Sequence, residues 1–378
     1  MLSKLSQSIK HNLINIPGWR TNRKIIVFES DDWGSIRMPN LKVYQKLSTN
    51  STAIKNNPYC KYDTLASQED LSALFDVLVK HKDRNDNHPV ITANTVVSNP
   101  NFEKIKASNF GKYYNEPFTE TLKAYYPKNN PWSIWKEGIQ HKIFHPQFHG
   151  REHVNVPMWL DLLQNDDETA KLAFKYNCWI IPKQSIHEKR NIQASYDALN
   201  DDEELYATQS VTEGLKLFKA IFNYNSKSFI ANNFIWGKPI EKTLSDHDVQ
   251  FIQGMKYQKY PLKYNPKNRK LLRHYIGAKN EFNQIYLIRN CVFEPSQSLK
   301  AKDEVKECLS HIKNAFFWKK PAIITSHRLN FIGALNEENR NQNLEKLDEL
   351  LKQILIKWPD VEFMTSDELG KTIKASQN

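Results

Sequence analysis

Lys24-Ile25-Ile26-Val27-Phe28-Glu29-Ser30-Asp31-Asp32-Trp33-Gly34 runs a short apolar segment straight into three carboxylates within four positions. An apolar run of this length, bounded by polar residues, reads as a strand buried on both faces, the habit of parallel sheets. Carboxylates at the end of such a strand are unfavourable unless they bind a cation or move protons. Taken alone, an Asp-rich turn capping the next helix explains them equally well.

Working outward, similar runs recur at 89–96 (PVITANTV), 142–149 (KIFHPQFH), 227–233 (KSFIANN), 248–254 (DVQFIQG), 285–293 (IYLIRNCVF), 321–327 (PAIITSH) and 360–366 (DVEFMTS). Helical stripes lie between them. Leu71, Leu74, Phe75 and Leu78 form one over 67–80, Val211, Leu215, Phe218 and Ile221 another over 208–223, and Leu344, Leu347, Leu351 and Ile354 a third over 341–357. Strands alternating with helices indicate a mostly parallel sheet, and units spread over the whole chain favour a barrel over separate domains. A single barrel domain over 1–378 is therefore expected, its core strands running from about 24 to 366. The stretches 40–65, 99–135 and 255–282 lack a clear period and read as long inserted loops.

Histidines supply the second signal. His141, His145, His149 and His153 stand four apart, but Pro146 would break a helix there and Gly150 would weaken it. A strand over 143–149 is the better reading, with His145, Gln147 and His149 on one side and Phe144 and Phe148 on the other. The chain then turns at Gly150, and Glu152-His153 opens a helical turn. His149 and His153 can converge on one ion. Two His and one carboxylate, leaving positions open for water, make a catalytic metal site of the zinc type. A third signal is the strand ending in Ser326-His327, where a barrel presents catalytic groups and a His can act as acid or base.

Together ESDDWG, HGREH and ITSH, in that order, resemble the polysaccharide deacetylase family, the NodB-homology carbohydrate esterases. The resemblance implies a distorted (β/α) barrel that removes acetyl groups from amino sugars or sugar hydroxyls with a divalent metal. By position it implies Asp31 as base, His327 as acid, and Asp32, His149 and His153 as ligands of zinc, or of nickel or cobalt. The chain departs from the family pattern. Trp33 separates the Asp pair from Gly34, Gly150 and Val154 replace the residues that usually follow the two His, and the Arg-x-Pro-Pro-Tyr stretch has no counterpart. KSFIANNFIWG (227–237) holds its place, with Asn233 and Phe234 available to offer backbone N–H groups. Arg289, Arg151 or Arg328 could replace the missing Arg.

Composition sets the remaining bounds. The chain has 378 residues, 40% hydrophobic and 25% charged, which excludes wholesale disorder. Its net charge is +11, but only 11 of 53 basic residues are Arg and no basic run or nucleic-acid motif occurs. A lysine-rich solvated surface is expected and a nucleic-acid partner is not, while the resemblance implies a carbohydrate as partner. Cys60, Cys178, Cys291 and Cys308 lack metal-knuckle spacing and read as free buried thiols. Leu2, Leu5, Ile9 and Leu13 suggest a short amphipathic helix. No signal peptide or stretch of 18 apolar residues is visible, so a cytoplasmic location is expected. Trp33, Trp132, Trp135 and Trp236 lie near the motifs and could stack on sugar rings. Two other readings stand beside the deacetylase: a glycoside hydrolase using Glu29 and Asp31 without metal, and a non-catalytic carbohydrate-binding protein.

Overall fold

The computed structural model describes residues 12–182, 190–265, 267–297 and 303–377. Nine parallel strands form the central sheet: β1 (Lys24–Trp33), β2 (Ile91–Thr95), β3 (Phe144–Phe148), β4 (Ser228–Ile230), β5 (Phe251–Gly254), β6 (Ile285–Ile288), β7 (Cys291–Val292), β8 (Ala322–His327) and β9 (Val361–Phe363). Their order is β6-β5-β4-β3-β2-β1-β8-β7, with β9 paired to the start of β1. The two ends of that order are neighbours in sequence. Only Arg289 and Asn290 separate β6 from β7; the Arg289 amide donates to Gly254 O (2.9 Å) and the Asn290 amide to Ile323 O (3.2 Å). Consecutive peptide units thus serve opposite edges, and the sheet closes into a barrel in which β6 and β7 share one stave.

All eight apolar runs are strands, as expected. The run 285–293 is the exception in form, since it splits into two. Alternation along β1 assigns its faces. Ile26 and Phe28 pack outward in a cluster with Leu71, Leu74, Ile312, Leu347 and Leu351 from the covering helices. Ile25 and Val27 belong to a second cluster with Phe229, Phe251, Leu287 and Ile323. Glu29 and Asp31 continue the Ile25 and Val27 parity, so the same alternation that buries the core carries two carboxylates inward.

The helix expected at 67–80 spans Gln68–Leu78 behind a Ser67–Asp70 capping box, and that at 341–357 spans Glu337–Lys357. The one at 208–223 is longer, Asp201–Phe222, because Asn200 caps it and four acidic residues fill its first turn. The aperiodic stretches hold short helices and two small hairpins, Ser98–Pro100 with Asn115–Pro117 and Tyr257–Lys259 with Leu271–Arg273. Leu2, Leu5 and Ile9 lie outside the described residues. The four cysteines are free and buried. Among the described residues no helix is long and apolar enough to cross a membrane.

Candidate active site

The C-terminal ends of the strands share one face of the barrel, and the singled-out residues gather there. Register pairs Asp31 of β1 directly with His327 of β8. His149 follows β3, and Arg289 sits at the β6–β7 joint. Strict alternation would send Asp31 and Asp32 to opposite faces. It fails here because the β1–β2 register shifts between Ser30 and Trp33 and Asp32 takes a left-handed φ of 73°. Gly34, at φ 79°, completes the turn; a Cβ there would lie 2.3 Å from Val96 O.

Asp32 Oδ1 lies 3.0 Å from His153 Nε2 and 3.4 Å from His149 Nε2. One ligand atom from each of the three residues falls within 4.8 Å of the others, and all three residues are buried. No other such His, Cys, Asp or Glu group occurs among the described residues. Gly150, at φ 120°, makes the return that brings the two His together. His153 lies in a loop, not in the helical turn expected there, because Asn155 caps the helix that starts at Val156.

The donor chemistry fits a divalent cation. His149 Nδ1 is 2.9 Å from Ile230 O, a contact that orients the ring and turns Nε2 toward Asp32. Burial lowers the His153 pKa to about 4, against the pull of Asp32. Burial alone would raise Asp32, but His153, His149 and Arg37 together hold it well below the usual carboxylate range. Two imidazoles and one carboxylate are a zinc-type set.

Beside this focus Asp31 is tightly held. Arg289 donates to both its oxygens, Nη1 to Oδ2 and Nη2 to Oδ1, each at 2.7 Å, and Asn94 Nδ2 donates to Oδ1 at 2.8 Å. Burial pushes the Asp31 pKa up, the Arg289 guanidinium outweighs it, and the result is about 2. Of the three candidates for the missing Arg, Arg289 is the one that reaches Asp31. Arg151 pairs with Glu152 and Glu213, and Arg328 with Asp63. Arg289 Nε donates to Glu29 (2.6 Å), whose other oxygen accepts from Ser366 (2.8 Å). Glu29 is fully buried under these partners. It cannot flank a sugar, which removes the residue pair on which a metal-free glycosidase would rest.

His327 Nε2 is 3.9 Å from Asp31 Oδ2, and its Nδ1 is 2.5 Å from Glu294 Oε1. Burial lowers its pKa, Glu294 and then Asp31 raise it, and the outcome is about 9. Glu294 is itself fixed by Asn330 (2.8 Å) and Gln297 (3.0 Å). The sequence pattern missed Glu294, Asn94, Arg37, Tyr59 and Trp179, all of which crowd the site. It also misassigned the tryptophans: Trp33, Trp135 and Trp236 are buried core residues, and Trp132 packs against them or their neighbours. His141 ends a helix, and His145 meets Asp367 (3.1 Å), away from the ligand group.

No family model and no curated sequence matches the chain. Similar solved structures include a Mycobacterium smegmatis protein provisionally assigned as a polysaccharide deacetylase, with 8% identity over 96% of this chain and 94% of that one and a TM-score of 0.47. A 4-α-glucanotransferase from Thermococcus litoralis has 9% identity over 92% and 40%, at 0.44. A polysaccharide deacetylase from Bacillus cereus has 11% identity over 70% and 63%, at 0.29. Likeness at these values carries no argument about activity or substrate.

Proposed function

We propose that this chain is a metal-dependent hydrolase that removes acetyl groups from a carbohydrate. The observation that carries the reading is the convergence of Asp32, His149 and His153 beside Asp31 and His327, residues drawn from three separate strand ends. Asp32, His149 and His153 would hold the cation, most simply zinc. Such an ion, when bound, supplies Lewis acidity that polarises an acyl carbonyl and makes a water easier to deprotonate.

The protein's own groups move the protons. Asp31 Oδ1 accepts two hydrogen bonds and Oδ2 one, so the remaining lone pair on Oδ2 is the proton acceptor. That oxygen faces His327 Nε2 across 3.9 Å. Water's oxygen bonds to the acyl carbon as its proton passes to Asp31. The C–N or C–O bond then breaks as His327 gives its proton to the leaving amine or alkoxide. Arg289 keeps Asp31 ionised and aimed; Glu294 keeps His327 protonated and fixes which ring nitrogen faces the substrate. The reading extends to the whole barrel as one catalytic unit.

The test is acetate release from N-acetylated chitooligosaccharides and O-acetylated xylan by zinc-reconstituted protein. Release that disappears on chelation and returns with zinc supports the proposal. Protein that binds no divalent ion, or that when loaded releases no acetate from these polymers or from an acetylated acidic saccharide, overturns it.

A further inference from the structure

Arg37 is 7% exposed and lies beside the ligand group. Its guanidinium carbon stacks 4.6 Å over Trp179 and 5.1 Å over Tyr59, so two rings hold its plane. Its edge is poorly satisfied. Of the five N–H groups a guanidinium carries, one donates among the described residues, from Nη2 to Gln193 Oε1 at 3.0 Å. Nε has no hydrogen-bond partner and stands 3.8 Å from Asp63; Nη2 stands 3.6 Å from Asp32. Neither separation is a hydrogen bond.

A guanidinium present for structure alone is expected to look like its neighbours. Arg289 makes four bonds to Glu29, Asp31 and Thr325, and Arg328 reaches Asp63 at 2.8 Å. Arg328 already claims Asp63. The other acid near Arg37 is Asp32, and on the reading above, on which this inference rests, Asp32 is committed to a cation. Arg37 thus shares both of its nearby acids, at 3.6 and 3.8 Å, with other partners and hydrogen-bonds to neither. It lines a cavity of about 130 Å³ with Tyr59, Asn57 and Gln193, large enough for an oxyanion substituent on a larger ligand.

We infer that Arg37 is a specificity residue that binds an anionic substituent, a carboxylate or a phosphate, on the saccharide. The planar guanidinium suits either oxyanion through paired N–H donors. Asn57 and Gln193 add neutral polar groups to the same cavity. The acceptor would therefore be an acidic sugar.

Isothermal titration of zinc-loaded protein with methyl β-D-glucuronide, glucose 6-phosphate and methyl β-D-glucoside tests this. At least one anionic sugar should bind about ten-fold or more tighter than the neutral one, the increment expected of a charge-assisted contact. The better of the two identifies carboxylate or phosphate as the natural group. Arg37→Met keeps an apolar stem against both rings and should erase the preference. Gln193→Glu, a milder change on a loop, should reduce it by placing a like charge in the cavity. Equal affinities in the unaltered protein, or a preference that survives Arg37→Met, overturns the inference. Acetate release separates this from the reading it rests on: hydrolysis without anionic preference removes Arg37's role alone, whereas preference without hydrolysis removes the deacetylase and leaves the subsite.

Discussion

The two halves of the candidate site are built in opposite ways. On the β1–β8 side, Arg289 binds Glu29 and Asp31, and Glu294 binds His327, through contacts of 2.5–2.7 Å. Around the other focus, Asp32 near the end of β1 meets His149 and His153, which follow β3, at 3.0–3.4 Å, and His153 Nδ1 and Asn232 Oδ1 have no partner among the described residues. Low-dielectric surroundings make a satisfied network rigid and leave an unsatisfied one waiting for charge. The half around Asp31 and His327 is thus finished by the fold, while the half around Asp32 is aimed at a focus that a cation would complete.

The sharpest way to break this contrast is His149→Ala. It should reduce bound zinc from about one ion per chain to near none and turnover by about 10³-fold or more, since the ion is worth several kcal/mol. Metal analysis with acetate release checks both. Asp31→Asn should separate the halves: turnover falls by about 10²–10⁴-fold, the range for a lost general base, while zinc content stays near one. Zinc lost from Asp31→Asn and retained in Asp32→Asn would reverse the assignment of the pair.

Arg289→Met attacks the finished half through stability. It strands Glu29 and Asp31 as buried, unpaired acids, so unfolding free energy should drop by about 3–5 kcal/mol, as read from urea melts. His149→Ala should be far milder in the same melts without zinc, because its half is not yet closed.

Glu294→Gln gives a smaller, pH-dependent effect. The charged or titratable neighbours of His327 are Glu294, Asp31, Asp32 and Tyr59. With its pKa raised to about 9, His327 is the protonated acid up to that pH, so the alkaline limb of the rate profile should fall near 9. Loss of Glu294 should move that limb down toward the ordinary value of about 6.5. A raised folded pKa also stabilises the fold fully below about 6.5 and loses that contribution as pH rises through about 9. Wild type and Glu294→Gln should therefore differ most in stability near pH 6 and converge above pH 9. The smallest change is expected from Asp367→Asn, whose partner His145 lies outside the ligand group; turnover should stay within about two-fold, as for sites with no contact to reacting atoms.

Much of this was legible in the sequence, and the failures have a common cause. The buried run KIIVF ending in ESDD marked a strand-end cluster of carboxylates, and strand-end position brought His149 and His327 to the same rim. Asp32 was legible as a residue but not as a geometry, because its left-handed backbone depends on the register with β2. Glu294 was hidden because IYLIRNCVF looks like one strand; its division at Arg289-Asn290 exists only where two edges of the sheet meet. The tryptophans misled for a similar reason. Proximity in sequence to a motif says nothing of which wall a large ring will fill, and Trp179, distant from every motif, is the one that stacks on His153, with 5.6 Å between ring centroids.

The Arg289-Asn290 joint couples assembly to competence. Its two amides make the hydrogen bonds that unite β5 and β8 into one ring, and its guanidinium is the clamp on Asp31. A folding intermediate with an open sheet has a loose base, however complete its helices. In refolding from denaturant, activity should consequently lag the far-ultraviolet helical signal and rise together with the slowest amides to become protected from hydrogen exchange, those of Arg289 and Asn290. The seam that closes the barrel would thus also be the one that sets Asp31 in place.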